Sequence, residues 1–211
     1  VTRISQINTP QGRKYETPVG LLPSVTTILQ ATMPLEQKQR LQRWRERQTK
    51  TTEDANTESE AANRGTKIHE LIAVQLQGKP LDCPDELLEF WHPVRKVIVA
   101  ISAPPVAIET PVYHPTLQYA GTPDLIASWQ EQLTIFDWKT SYRMKQLSWM
   151  RDAAIQVAAY KAAFEQIAGI EIEQALVVVI SPNRVQIFDI DVKQYWDEWL
   201  QRLQAYYSEQ H

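Results

Sequence analysis

Apolar positions recur along this chain with two periods, three to four residues in some stretches and two in others, and together they predict a mixed α/β protein. Residues 58–78, ESEAANRGTKIHELIAVQLQG, place Ala62, Gly65, Ile68, His69, Ile72 and Leu76 on one helical face. Gly78-Lys79-Pro80 ends that helix, and Pro84 opens another through DELLEFWHPVRKVIVAI, where Pro93 is expected to kink or split it. Its Leu87, Leu88, Phe90, Trp91, Val94, Val97, Ile98 and Ile101 read as packing. A strand, VAIETPVYHP, follows with Glu109 inside it, then two short strands, TPDLIASW and LTIFDWK, separated by polar Gln130-Glu131-Gln132. The alanine-rich stretch RDAAIQVAAYKAAFEQIAG predicts a helix closed by Gly169. Strands EQALVVVIS and RVQIFDID and a final amphipathic helix, VKQYWDEWLQRLQAYY, complete the pattern. The unbroken apolar run Leu176 to Ile180 suits a central strand covered on both faces.

The N-terminal part is less periodic. Residues 3–19 read as irregular or short-stranded cover, with a turn at Pro10 and Gly12. Ser24 caps a short helix that Met33-Pro34 interrupts. The segment QKQRLQRWRERQTK predicts a basic helix anchored by Leu41 and Trp44, and TTEDANTESE reads as a flexible connection.

The two short central strands form a hairpin. If the connection has two residues (Gln130, Glu131) or four (Trp129 to Gln132), Asp124 lies directly across from Asp137, with Cβ atoms about 4.5–5.5 Å apart. An odd-numbered loop without a bulge sends the carboxylates to opposite faces. Lys139 shares the face of Asp137. Two carboxylates this close repel unless a cation lies between them, and a hard divalent ion such as Mg²⁺ or Mn²⁺ suits their oxygens. With Lys139 beside it, the arrangement suits phosphodiester cleavage; a solvated strand face with ordinary acids is the alternative.

Composition narrows the context. The 211 residues, 43% hydrophobic and 22% charged, fit one soluble domain with its own core. No apolar run approaches a membrane span and no basic-then-apolar leader is evident, so a cytoplasmic protein with no membrane partner is expected. Cys83 is the only cysteine, which excludes an internal disulfide and an iron–sulfur cluster held by four cysteines of this chain. A net charge of −3 supplies no global attraction for nucleic acid, so any such partner must meet a local basic surface. One candidate is the basic helix with Arg43 and Arg47, equally readable as a solvated face; another is the stretch after Lys139, where Tyr142, Arg143, Lys145 and Trp149 could grip phosphates and stack bases or form a surface loop with buried aromatics. His69 reads by itself as a hydrogen-bonded core histidine, and Glu109 as a partner of the metal site or as an edge residue. Gln156 and Tyr160, four apart, share one helical face.

Four motifs in order, R-G-T-K-I-H from Arg64 to His69, G-T-P-D from Gly121 to Asp124, D-W-K from Asp137 to Lys139 and Q-V-A-A-Y from Gln156 to Tyr160, resemble the RecB-like branch of the PD-(D/E)XK nuclease superfamily. L-P-S-V-T-T-I-L from Leu22 to Leu29, with Met33-Pro34 and Trp44, is similar to stand-alone exonucleases of mitochondrial and phage type. The resemblance implies a restriction-endonuclease-like core, a mixed central sheet flanked by helices in the order αβββαβ, at 58–211, within a single nuclease domain whose residues 1–57 add an N-terminal helical extension. It also implies that His69, Asp124, Asp137 and the backbone carbonyl of Trp138 ligate Mg²⁺ or Mn²⁺, with Glu109 a further candidate. Lys139 would act on the attacking water, Gln156 and Tyr160 would organise the site, and Arg64 would reach a phosphate. The expected reaction is metal-dependent exonuclease cleavage of DNA at single-stranded ends. The alternatives are an endonuclease or the nuclease subunit of a repair or phage-defence complex, and a non-catalytic nucleic-acid-binding module. The chain departs from its iron–sulfur relatives in lacking their cysteine quartet.

Overall fold

The computed structural model describes residues 4–48, 54–101 and 104–209, with side chains described outside 44–48 and 54–59. It begins with a three-stranded antiparallel sheet, β1 (Ser5–Thr9), β2 (Gly12–Thr17) and β3 (Gly20–Pro23), followed by α1 (Val25–Ala31) and α2 (Leu35–Gln48). As expected, Ser24 caps α1, its side chain accepting from the Thr27 N–H, and Pro34 separates the two helices. Trp44 and Arg47 fall among the side chains outside the description; Arg43 is exposed on α2.

Helix α3 (Asp54–Leu76) starts earlier than the sequence suggested. Residues 54–60, expected to be a flexible connection, form its first turns. Ala55, Glu58 and Glu60 are good helix formers, and the segment runs directly into the periodic stretch that follows. After a 3₁₀ turn at Asp85–Leu87 comes α4 (Leu88–Val99), which runs unbroken through Pro93. The proline leaves the Glu89 carbonyl without its helical donor, and the Asn183 N–H fills that place at 2.7 Å.

The predicted strand around Glu109 is broken in two, β4 (Ala107–Ile108) and β5 (Val112–His114). Glu109 lies between them at φ 43°, a left-handed conformation costly for a non-glycine residue, and Pro111 follows; the chain leaves the main sheet there to pair with β6 (Tyr119–Gly121). Then come β7 (Leu125–Trp129), β8 (Gln132–Thr140), α5 (Arg151–Ala168), β9 (Gln174–Ser181), β10 (Arg184–Asp189) and α6 (Lys193–Ser208).

The main sheet has the order β10-β9-β8-β7-β4; β8 and β9 are parallel, joined across α5, and the other pairs are antiparallel. Alternation along β9 divides the core: Ala175, Val177 and Val179 meet α1, α5 and α6 on one face, whereas Leu176, Val178 and Ile180 meet α3 and α4 on the other. This is the expected helix–sheet–helix sandwich, with β9 covered on both sides. Buried Arg202 of α6 donates to the Leu29 carbonyl and to Thr32 Oγ1 at 2.6 and 2.7 Å, tying α1 to the body of the molecule.

Candidate active site

The hairpin β7–β8 turns through two residues, Gln130 and Glu131, at φ 50° and 69°. Trp129 pairs with Gln132 and Leu125 with Phe136, so the next step of the register sets Asp124 opposite Asp137. Positive φ at both turn positions belongs to the tight hairpin turn whose twist matches its strands. The site thus lies where β7 begins and β8 ends, and Lys139 Nζ reaches Asp137 Oδ2 at 2.5 Å. Asp137 is 2% exposed, whereas Lys139 keeps 37% of its side chain open, so the lysine forms the solvent-facing half of the pair.

His69, on α3, enters from the other layer. Its Nε2 lies 3.0 Å from the Trp138 carbonyl oxygen and its Nδ1 3.4 Å from Asp124 Oδ1. Asp124 Oδ2 accepts the Trp138 N–H at 2.7 Å, fixing the carboxylate across the hairpin mouth. Both nitrogens of the ring therefore face oxygen acceptors, an environment that favours a cation. Burial opposes charge on His69, but the hydrogen bond to Asp124 and the charges of Asp124 and Asp137 outweigh it and raise the pKa. Asp137 is also raised, chiefly by burial, against the pull of Lys139. Burial works to lower Lys139, yet the two aspartates hold it above its ordinary value. Glu109, between β4 and β5, donates its N–H to the Asp124 carbonyl at 3.1 Å. Its own carboxyl is raised by partial burial and by Asp124.

A nitrogen, two carboxylates and a carbonyl suit a divalent cation by chemistry. Their present spacing is looser: among the described residues no three His, Cys, Asp or Glu side chains form a ready-made cage, because Asp137 Oδ2 is turned to Lys139 and Asp124 Oδ2 to Trp138 N.

On the opposite layer α5 brings up Gln156 and Tyr160, with Gln156 Nε2 donating to the Tyr160 hydroxyl at 3.1 Å. The Tyr160 ring lies on Gly121: a Cβ there would come within 2.1 Å of Tyr160 Cε1, so this position admits only glycine. Burial, then the charge of Asp137, raises the Tyr160 pKa and keeps its proton on. Gly65, within α3, is less constrained, since an added Cβ would make ordinary contact with Thr140 Oγ1 at 3.4 Å.

Arg64 stacks on Tyr142, its guanidinium carbon 4.1 Å from the ring centroid and 5.1 Å from that of Phe90. Its Nε is buried without a hydrogen-bond partner. The stretch after β8 is a surface loop whose aromatics are not buried: Tyr142 is 64% exposed and Trp149 58%. Arg143 is exposed, and Lys145 lies half-buried with Nζ 6.0 Å from the Trp149 ring centroid. Tyr15 of β2 has no signal in the sequence, yet it is 1% exposed and its hydroxyl lies 2.8 Å from Thr122 Oγ1, bracing the G-T-P-D turn from 107 residues away.

A mixed sheet between helical layers, with acids, a lysine and a histidine gathered at one hairpin mouth, defines the restriction-endonuclease-like class of α/β proteins. The pattern of the PD-(D/E)XK nuclease superfamily matches residues 39–210, and the chain belongs to that superfamily. It is similar to mitochondrial genome maintenance exonuclease 1 of Xenopus tropicalis, at 32% identity over 204 residues covering 89% of this chain and 58% of that protein. The Mus musculus protein of the same name is 33% identical over 209 residues, 90% of this chain and 60% of its own. The Homo sapiens one is 30% identical over 202 residues, 89% and 58%. The chain thus spans less than two thirds of the length of these relatives.

Proposed function

We propose that this chain is a divalent-metal-dependent DNA exonuclease acting on single-stranded ends. The observation that carries the reading is the hairpin register, which sets Asp124 opposite Asp137 with Lys139 on one side and His69 on the other. The name shared by the relatives supports the exonuclease assignment, and the exposed aromatic and basic loop after β8 supports the single-stranded one.

His69, Asp124, Asp137 and the Trp138 carbonyl would hold Mg²⁺ or Mn²⁺, with Glu109 near enough in the fold to assist. The bound ion would supply Lewis acidity toward a phosphoryl oxygen and lower the pKa of a coordinated water. Lys139 stands where its ammonium can orient the attacking water and offset negative charge developing on the phosphate. Asp137 holds that ammonium in place. Tyr160, its proton kept by burial, donates a hydrogen bond toward the carboxylates or the substrate, and Gln156 fixes its hydroxyl. Arg64 is poised for a phosphate, with an unsatisfied buried Nε and a guanidinium plane steadied by Tyr142.

The test is degradation of end-labelled single- and double-stranded DNA with Mg²⁺ or Mn²⁺. Wild type shortens the single strand from an end and leaves circular single-stranded DNA intact. Lys139→Ala and Asp137→Ala each reduce the rate by about 10²-fold or more. Equal degradation by wild type and both variants contradicts the site, and cutting of the circle replaces the exonuclease with an endonuclease.

A further inference from the structure

Beside the hairpin mouth, on the α5 side, lies a pocket of about 240 Å³. Lys139 and Thr140 of β8, Lys145 and Trp149 of the following loop, and Asp152 of α5 form its walls. It opens where the parallel strand β8 ends and the chain crosses toward α5, the end of the sheet at which α/β folds bind ligands. Resting on the nuclease reading above, we propose that this pocket is a nucleobase subsite: one unstacked base of the substrate strand lies against the Trp149 indole, while Lys145 and Lys139 face the phosphates on either side of it.

Three features of the walls select a base. The first is the platform. Trp149 lies in the 3₁₀ turn Leu147–Met150, its N–H bonded to the Gln146 carbonyl at 2.9 Å, and it remains 58% exposed. An exposed indole carried on an ordered backbone turn offers a base a stacking face whose two side-chain torsions are all that remain to be fixed. The second is the charge pattern. Lys139, Lys145 and Asp152 all line the pocket, and the Asp152 carboxylate is fixed by the Gln37 amide at 2.6 Å. A phosphate is repelled by that carboxylate, whereas the donor-bearing edge of a base is not.

The third is rigidity. Gln186 on β10 donates through Nε2 to the Lys145 carbonyl at 2.9 Å and accepts the Lys145 N–H through Oε1 at 2.7 Å. This two-point clamp mimics a strand pairing and pins the loop to the sheet. Because Gln37 belongs to α2, its bond to Asp152 also ties the basic helix to a wall of the pocket. The pocket shares Lys139 with the proposed reaction centre, so an engaged base sets which phosphodiester meets the metal ligands. A base paired in a duplex cannot enter without being unstacked, and this supplies a physical source for single-strand preference.

The experiment uses single-stranded oligonucleotides in which one nucleotide at each successive position from the end is abasic. Binding is followed by fluorescence anisotropy with Ca²⁺ as the metal, and cleavage with Mg²⁺. For wild type, one abasic position weakens binding about tenfold and raises KM more than it lowers kcat. Trp149→Ala shows that loss on intact DNA and becomes indifferent to the abasic position; Trp149→Phe regains most of the affinity and the positional profile. A Trp149→Ala protein that keeps the wild-type profile, or a wild type with a flat profile, overturns the subsite. The binding arm does not depend on turnover, so a wild type that binds with the expected profile and never cleaves counts against the nuclease reading while leaving the base pocket supported.

Discussion

Gly121 illustrates how a single hydrogen in place of a methyl group can decide a site. The Tyr160 ring occupies the space where a side chain on residue 121 would stand, and the same ring carries the hydroxyl to which Gln156 Nε2 donates. Gly121→Ala must displace the ring or the β6 backbone, and is expected to cost about 1–3 kcal/mol of stability together with most of the activity. In a Tyr160→Ala background the same substitution adds little, because the clash has gone; urea unfolding of the two single variants and the double variant measures that non-additivity. A full additive cost would mean that the ring does not press on Gly121. Asp137 with Lys139, and Gln156 with Tyr160, were legible because strand and helix periods put each pair on one face, whereas the meeting of Asp124 and Asp137 hung on the length of the hairpin turn, which the structure sets at two residues. Tyr15 was not, since its contact with Thr122 joins the N-terminal sheet to the G-T-P-D turn, which no local pattern connects.

At the scale of elements, most strands and helices followed from periodicity, and the departures have identifiable causes. Pro93 was expected to kink or split α4, but the Asn183 N–H, in the turn between β9 and β10, donates to the Glu89 carbonyl, and the helix continues. Removing a mid-helix proline ordinarily recovers about 3 kcal/mol. Here Pro93→Ala is expected to recover about 1 kcal/mol or less, as read from chemical denaturation, because the orphaned carbonyl already has a donor. The break at Glu109 escaped the sequence because alternation around it continues as in a strand, while its left-handed φ is imposed by pairing of β5 with β6. That small ribbon carries a pH dependence of its own. His114 Nδ1 accepts the Leu117 N–H at 3.1 Å, which requires that nitrogen to be unprotonated, and burial lowers the pKa from 6.5. The folded state therefore binds this proton less readily than the unfolded state: the contribution is complete above pH 6.5 and declines as pH falls through the lowered value. His114→Asn, whose side-chain carbonyl can accept the same N–H, is expected to flatten the stability profile below pH 6.5. An unchanged slope would remove His114 from the account.

For the whole molecule, the sheet order and the two faces of β9 place α3 on one side of the hairpin and α5 on the other, so ligand candidates and supporting residues arrive from different layers at one edge. The succession of elements made that sandwich legible, because a parallel β8–β9 pair needs a crossover helix and alternating faces need two layers. Integration of the N-terminal sheet was not legible: β1 to β3 and α1 reach the site through Tyr15 and the core through Arg202, contacts set by shape and hydrogen bonding at long range. Among the described residues no helix is long and apolar enough to cross a membrane. The proposed chemistry needs one cation-binding point where these layers meet. Crystals soaked in Mn²⁺ and measured at the manganese absorption edge test it most directly. The expected result is an anomalous peak among His69 Nε2, Asp124, Asp137 and the Trp138 carbonyl, lost in Asp137→Ala; a peak elsewhere with this site empty, or one that survives the substitution unchanged, would contradict it.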